Sequence, residues 1–399
     1  MKVSHVLLLA LLSTISVSNA QEVTDGKFGN GMLNLIAKDS SWSVKFAPRI
    51  QFRATFSWNY DGDKYGKPQQ NFLIRRARLK FNGFAYSPKL KYKIEIGLSN
   101  SDIAGANEYT SDAPRFILDA VIMWNFYENF ELWVGQTKLP GNIERVISSA
   151  NLQLIDRSLL NKHFNIDRDL GFQIRHHTIL SEKFIIREKF ALSQGEGRNI
   201  TSGNIGGHQY TGRLEALPLG EFEGGGDYIG SDLKREKSPK LLVGVTYDYN
   251  NNAVKTRSNS GSYMFTGNGF YEADITTLFI DMMFKYKGFS LMGEYANRNT
   301  DNPIATEING IPTGDIVETG NALNLQAGYL FKNNYEIAGR YTTLEFDPLT
   351  TIDPQEQYTL GISKYIVGHK LKVQSDFSYN TTLGNKDELE FRCGFDLHF

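Results

Sequence analysis

"ELEFRCGFDLHF", residues 388–399, closes the chain in strict alternation. Leu389, Phe391, Cys393, Phe395, Leu397 and Phe399 share one face of an extended strand; Glu390, Arg392, Gly394, Asp396 and His398 share the other, because strand side chains alternate with period two. One apolar and one charged face over roughly ten residues is the pattern of a transmembrane barrel strand. A half-buried strand of a soluble sandwich alternates in the same way, so the rest of the chain has to decide.

The pattern recurs. In "SVKFAPRIQFRATFSWNY", residues 43–60, Val44, Phe46, Ile50, Phe52, Phe56, Trp58 and Tyr60 oppose Lys45, Arg49, Gln51, Arg53, Thr55, Ser57 and Asn59. Residues 90–99 and 369–382 repeat it. The chain holds sixteen candidate strands, near 42–60, 72–85, 90–99, 114–126, 130–138, 169–178, 184–194, 208–218, 240–251, 271–287, 288–300, 320–332, 335–346, 355–366, 369–382 and 387–399. An even count suits an antiparallel barrel. Tight turns such as 87–89, 127–129 and 367–369 interleave with long polar segments such as 61–71, 100–113, 139–168, 251–270 and 300–319. A soluble sandwich has no reason for that asymmetry; an outer-membrane barrel does. Aromatics gather at strand ends, as interfacial girdles require. The expected fold is an all-β, 16-stranded antiparallel transmembrane barrel, wide enough to hold an aqueous channel.

Composition agrees. Lys2, the apolar run from Val6 to Val17, and Ser18-Asn19-Ala20 read as a signal peptide over residues 1–20, followed by a periplasmic lead-in over 21–41 and the barrel over 42–399. One cysteine, Cys393, leaves no intrachain disulfide, so closure rather than stapling must supply stability. The balance of 43 basic and 44 acidic residues gives no footing for nucleic acid. No nucleophile–base motif, phosphate loop or metal-spaced cluster stands out, so neither an enzyme nor a cofactor or metal site is expected. His176 and His177 are adjacent in a strand and point opposite ways. Two rival readings stand beside a selective channel: a general, non-selective pore, which reversal potential with phosphate competition separates from it, and a plugged barrel whose loops bind a partner, which would give no conductance in a bilayer.

The stretch "NFLIRRARLKFNGF", residues 71–84, raises the question of what faces the lumen. Regular alternation puts Leu73, Ala77, Leu79 and Phe81 on the lipid side and Arg76, Arg78, Lys80 and Asn82 inside. Arg75 then falls on the lipid side, where an arginine at mid-membrane costs about 2–4 kcal/mol, so a rim, a bulge or a contact with a neighbouring subunit is expected there. Arg49, Arg53, Lys91, Lys93, Arg175, Arg213, Arg340, Lys370, Lys372 and Arg392 also have inward parity, as do Glu95, Asp119, Glu215, Asp248, Glu294, Glu336, Asp376 and Asp396. Inward cations attract anions and replace lost hydration.

"FLIRRARLKFNGFAY", "SPKLKYKIEIGLS", "FILDAVIMW", "LWVGQTKLPGNIERVISS" and "LQLIDRSLLNK", spanning Phe72 to about Leu170, resemble the phosphate-selective porin family, porins O and P. The resemblance implies a trimeric sixteen-stranded outer-membrane barrel of a Gram-negative bacterium, with residues 138–168 forming the constriction loop. It implies an anion site drawn from Arg49, Arg75, Arg76, Asp119, Arg145 and Arg157, with Arg53, Arg78 and Lys80 as supporting lumenal cations. The expected partners are small phosphate-like anions, outer-membrane lipid, two further copies of the chain, and the barrel-assembly machinery through the C-terminal strand. Gln136 stands where an arginine would strengthen the anion site.

Overall fold

The computed structural model describes residues 21–23, 27–202, 205–383 and 387–399; the signal-peptide reading of 1–20 lies outside them. Sixteen long strands form one antiparallel sheet. We number them β1 (Arg49–Asn59), β2 (Gln69–Ala85), β3 (Ser87–Gly97), β4 (Ile117–Tyr127), β5 (Phe130–Lys138), β6 (Arg168–Ser181), β7 (Phe184–Ser193), β8 (Gln209–Leu217), β9 (Lys240–Ala253), β10 (Ala273–Tyr286), β11 (Phe289–Asn299), β12 (Gly320–Leu330), β13 (Tyr335–Phe346), β14 (Gln355–Val367), β15 (Leu371–Thr382) and β16 (Glu388–His398). Each pairs with the next, and β16 pairs with β1 from Glu388↔Asn59 to His398↔Arg49, which closes the barrel. Phe399 lies one residue past β16 and donates its N–H to Pro48 O at 3.1 Å. Closure pairs every strand on both sides, which is what lets a sheet stand in lipid.

All sixteen expected strands are present. The segment at 42–60 is interrupted: Ser43–Phe46 pairs with Leu33–Ala37 in the lead-in, and β1 begins only after Ala47-Pro48, because proline cannot donate to a ladder.

The molecule is inside-out relative to a soluble protein. Phe52, Phe172, Leu214, Tyr247, Leu325 and Leu360 are exposed on the outer face, while Arg49, Arg76, Asp119, Arg213, Glu215, Asp281 and Arg340 are buried within. The loops at one end are long (60–68, 98–116, 139–167, 194–208, 254–272, 300–319). At the other end the connections are tight turns, except residues 218–239. That segment folds back into the barrel mouth. Lys285 Nζ donates to Ile229 O at 2.7 Å, and Gly230 N donates to Asn151 O of the constriction loop at 2.7 Å.

Candidate functional site: a constriction ringed by arginines

Residues 139–167 leave β5, turn into the lumen, and lie on the wall formed by β7–β15. The loop is amphipathic. Leu139, Leu160, Phe164 and Ile166 pack on inward Ala191, Phe279, Ala296, Ala322 and Leu344. Ile143, Ile147 and Leu152 pack on Leu217, Leu242, Met283 and Met292. Two inward glycines make room: a Cβ on Gly328 would meet Gln153 Nε2 at 2.1 Å, and one on Gly361 would meet Leu154 Cδ2 at 2.4 Å.

The wall's charges are spent on the loop's backbone. Arg213 Nη1 donates to Gly141 O (3.1 Å), Arg298 Nη1 to His163 O (2.8 Å), Arg340 Nη1 to Asp156 O (2.9 Å) and Lys372 Nζ to Leu152 O (2.8 Å). In the other direction, Glu294 accepts Glu144 N–H (2.7 Å), Asp281 accepts Ile143 N–H (3.1 Å) and Asp376 accepts Ile155 N–H (3.2 Å). Buried polar groups are satisfied in this way, and the loop is fixed rather than draped.

The remaining space lies beside the loop, in two cavities. One, of about 700 Å³, opens at the long-loop end of β14–β16 and is lined by Arg53, Lys162 and Arg392 among others. The second, of about 420 Å³, runs down β3–β6 past Asp119, Met123, Trp133 and Arg175. Arg75, Arg76, Arg145 and Arg157 line both. These four guanidiniums therefore stand at the passage between the two spaces. Ten basic side chains line the second cavity against four carboxylates, although the chain as a whole carries a formal charge of −1.

The question raised by residues 71–84 is answered by a β-bulge. Gln51 pairs with Arg76 and Phe52 with Ile74, so Arg75 is the extra residue on β2. A bulge re-aims side chains. Here it turns two consecutive arginines inward: Arg75 Nε donates to Asp156 Oδ1 at 3.0 Å, and Arg76 Nη2 lies 3.7 Å from the same oxygen. Of the rim, the bulge and the subunit contact expected for Arg75, the bulge is what holds, and it takes the side chain off the lipid side. The bulge also shifts the parity before it: Phe72 and Ile74 face outward, which puts Leu73, paired with Arg53, on the lumen side. A second bulge, at Leu118 on β4, turns that residue inward beside Asp119.

The other expected site residues divide. Arg145 and Arg157 reach the passage from the loop. Arg145 pairs with Asp167. Arg157 is aimed by two carbonyls, Glu144 O at 2.9 Å and Ile147 O at 2.7 Å, and burial draws it down to about 10, with Glu144 opposing. Arg53 pairs with Asp156, and Arg78 reaches Glu95 and Asp102 at 3.0 Å each. Asp119 is fully buried, bound by Lys93 (2.8 Å), Arg168 (3.1 Å) and Thr137 Oγ1 (2.9 Å). Arg49 does not reach either cavity lining: it is buried, bonds Asp396 at 2.8 Å, and donates to Ser149 Oγ at 2.8 Å. Lys80 lines neither cavity.

Sequence reasoning missed Asp156, although it lies inside "LQLIDRSLLNK". Burial would raise its carboxyl, yet Arg75, Arg76 and Arg53 hold it well below the ordinary range. Arg168 and Arg198 were missed as well. Gln136 explains the second: its Oε1 accepts Asn199 N–H at 2.6 Å, which fixes the 194–208 loop so that Arg198 projects into the second cavity. The arginine absent at position 136 is replaced by one arriving from another loop.

A closed barrel with an apolar outer face, a charged lumen and an inward-folded loop beside open cavities is an outer-membrane diffusion channel. A sequence model of the family described as phosphate-selective porin O and P matches residues 49–388. The chain belongs to that family. It is 25% identical over 378 residues to an uncharacterized protein of Aquifex aeolicus (strain VF5), covering 87% of this chain and 83% of that one. Among solved structures it is similar to an anion-selective porin from Comamonas acidovorans (TM-score 0.55, 11% identity, 90% of this chain and 100% of that one). The outer-membrane channel DcaP of Acinetobacter baumannii is also similar (TM-score 0.51, 12% identity, 91% and 99%).

Proposed function

We propose that the channel passes small anions, with phosphate-like oxyanions preferred. The supporting observation is the set of four guanidiniums, Arg75, Arg76, Arg145 and Arg157, shared by the linings of both cavities. Guanidinium is planar, always charged and suited to bidentate contact with phosphate. An anion in the passage exchanges part of its water for these N–H donors, while the wet cavities on either side keep binding weak enough for release. Asp119 acts by orienting Arg168 and Lys93 on the cavity wall, and Arg49 acts from behind, by holding Ser149 of the loop. In this reading the barrel works as a homotrimer in the outer membrane, and its terminal strand is what the barrel-assembly machinery engages. In a planar bilayer under a chloride gradient, the reversal potential should report anion preference, and added phosphate should reduce the chloride current. A reversal potential at zero or on the cation side rejects the proposal.

A further inference from the structure

We infer that the Asp156 carboxylate is a tethered competitor for the oxyanion site of the double arginine, and that it sets how tightly a passing anion is held. The inference rests on the anion-channel reading above. Three guanidiniums converge on this one carboxylate: Arg75 at 3.0 Å, Arg76 at 3.7 Å, and Arg53. A carboxylate and a phosphate present the same chemistry to a guanidinium, two oxygens matched to paired N–H donors. The side chain therefore occupies the position an incoming oxyanion would take.

The loop does not depend on this carboxylate for its place. Ile155 N–H is held by Asp376, the Asp156 carbonyl by Arg340, and Ser158 N–H by Glu144 at 3.1 Å. The three arginines also keep a surplus of positive charge over the single carboxylate, and Arg75 retains partial exposure to both cavities. An anion passing through must displace an internal one. That keeps residence short, and the competition is local to Arg53, Arg75 and Arg76.

The test uses the full-length channel in planar bilayers, with inorganic phosphate as the probe and the phosphate concentration that halves the chloride conductance as the readout. Asp156→Asn keeps the shape and removes the charge. It should lower that concentration about tenfold or more, the scale of one charge-assisted contact. Asp102→Asn removes the same charge from the same lumen without freeing Arg75 or Arg76, and should shift it much less. In the Asp156→Asn background, Arg75→Gln should restore most of the wild-type value. Equal shifts in the two single variants would mean a lumen-wide field and would overturn the inference, as would no shift in either. If Asp156→Asn does not give a heat-modifiable barrel, Asp156→Ser takes its place; failure of both to fold makes the carboxylate a fastener of the loop and overturns the inference. A wild-type channel that is anion-selective beside an unchanged Asp156→Asn defeats this inference alone. A wild type without anion preference defeats the reading beneath it.

Discussion

The two walls of the lumen carry the same kinds of side chain to opposite ends. On β8–β15, Arg213, Arg298, Arg340 and Lys372 are buried, and each gives its protons to a carbonyl of the constriction loop. On β1–β6, Arg53, Arg75, Arg78 and Arg175 line the open cavities. Parity along a strand says only that a residue points inward. Whether it becomes part of the pore or part of a fastening depends on whether the loop lies over it. Beneath the loop the charges are buried from solvent, so each one must be paired or pay a heavy desolvation cost. Along the open wall water completes what the protein leaves unpaired, so cations can outnumber carboxylates there.

If that division is right, the largest effect should come from the fastened wall. Arg213 lies fully buried between Asp281 (2.7 Å) and Glu215 (2.7 Å) and also holds Gly141 O. Arg213→Ala leaves two buried carboxylates without their shared partner. Breaking such a pair costs about 3–5 kcal/mol. The expected outcome is a lower denaturant midpoint for the refolded barrel and a noisier channel, as the loop loosens. A midpoint equal to wild type would mean the wall holds the loop mainly by apolar packing.

The open wall should answer in selectivity instead. Arg76→Ala removes a guanidinium from the passage and should move the reversal potential toward cations while weakening phosphate block. A charge-assisted contact is worth roughly 1.5–3 kcal/mol where desolvated, and the adjoining cavities reduce that. Stability should change less than in Arg213→Ala. Should Arg76→Ala unfold the barrel and leave the selectivity of surviving channels unchanged, the two walls would not differ in the way described.

The two walls also differ in how far the sequence reveals them. Strand number, closure and most inward residues follow from period-two alternation, because a barrel strand feels lipid on one face and lumen on the other along its whole length. Alternation marks Arg75 as a residue that needs a rim, a bulge or a subunit contact, but which of the three holds is a property of the pairing between β1 and β2 rather than of either strand alone. Asp156 was hidden for a similar reason: nothing in "LIDRS" says that a loop carboxylate will be carried across the lumen to Arg53 and Arg75. Inward glycines were the overlooked signal. Gly328 and Gly361 interrupt otherwise well-filled strands at the places where the loop seats Gln153 and Leu154. Residues 218–239, polar and glycine-rich, look like an ordinary loop, and only their position at the short-turn end sets them apart.

The smallest effect is expected where the family resemblance and the geometry part. The resemblance implies that Arg49 is a member of the anion site, yet its guanidinium lies behind Ser149 and is spent on Asp396. Single replacement would strand a buried carboxylate and confuse stability with selectivity. Replacing both partners, Arg49→Gln with Asp396→Asn, avoids that: the lumen's net charge is unchanged, and exchanging a buried ion pair as a unit is often close to neutral. Gln at position 49 can still donate toward Ser149. The double variant should fold, keep the wild-type reversal potential and keep the wild-type phosphate block, all measured in the same bilayer as Arg76→Ala. A reversal potential that moves toward cations as far as Arg76→Ala moves it would place Arg49 on the conducting side of the loop, and would erase the boundary between a charge that fastens and a charge that selects.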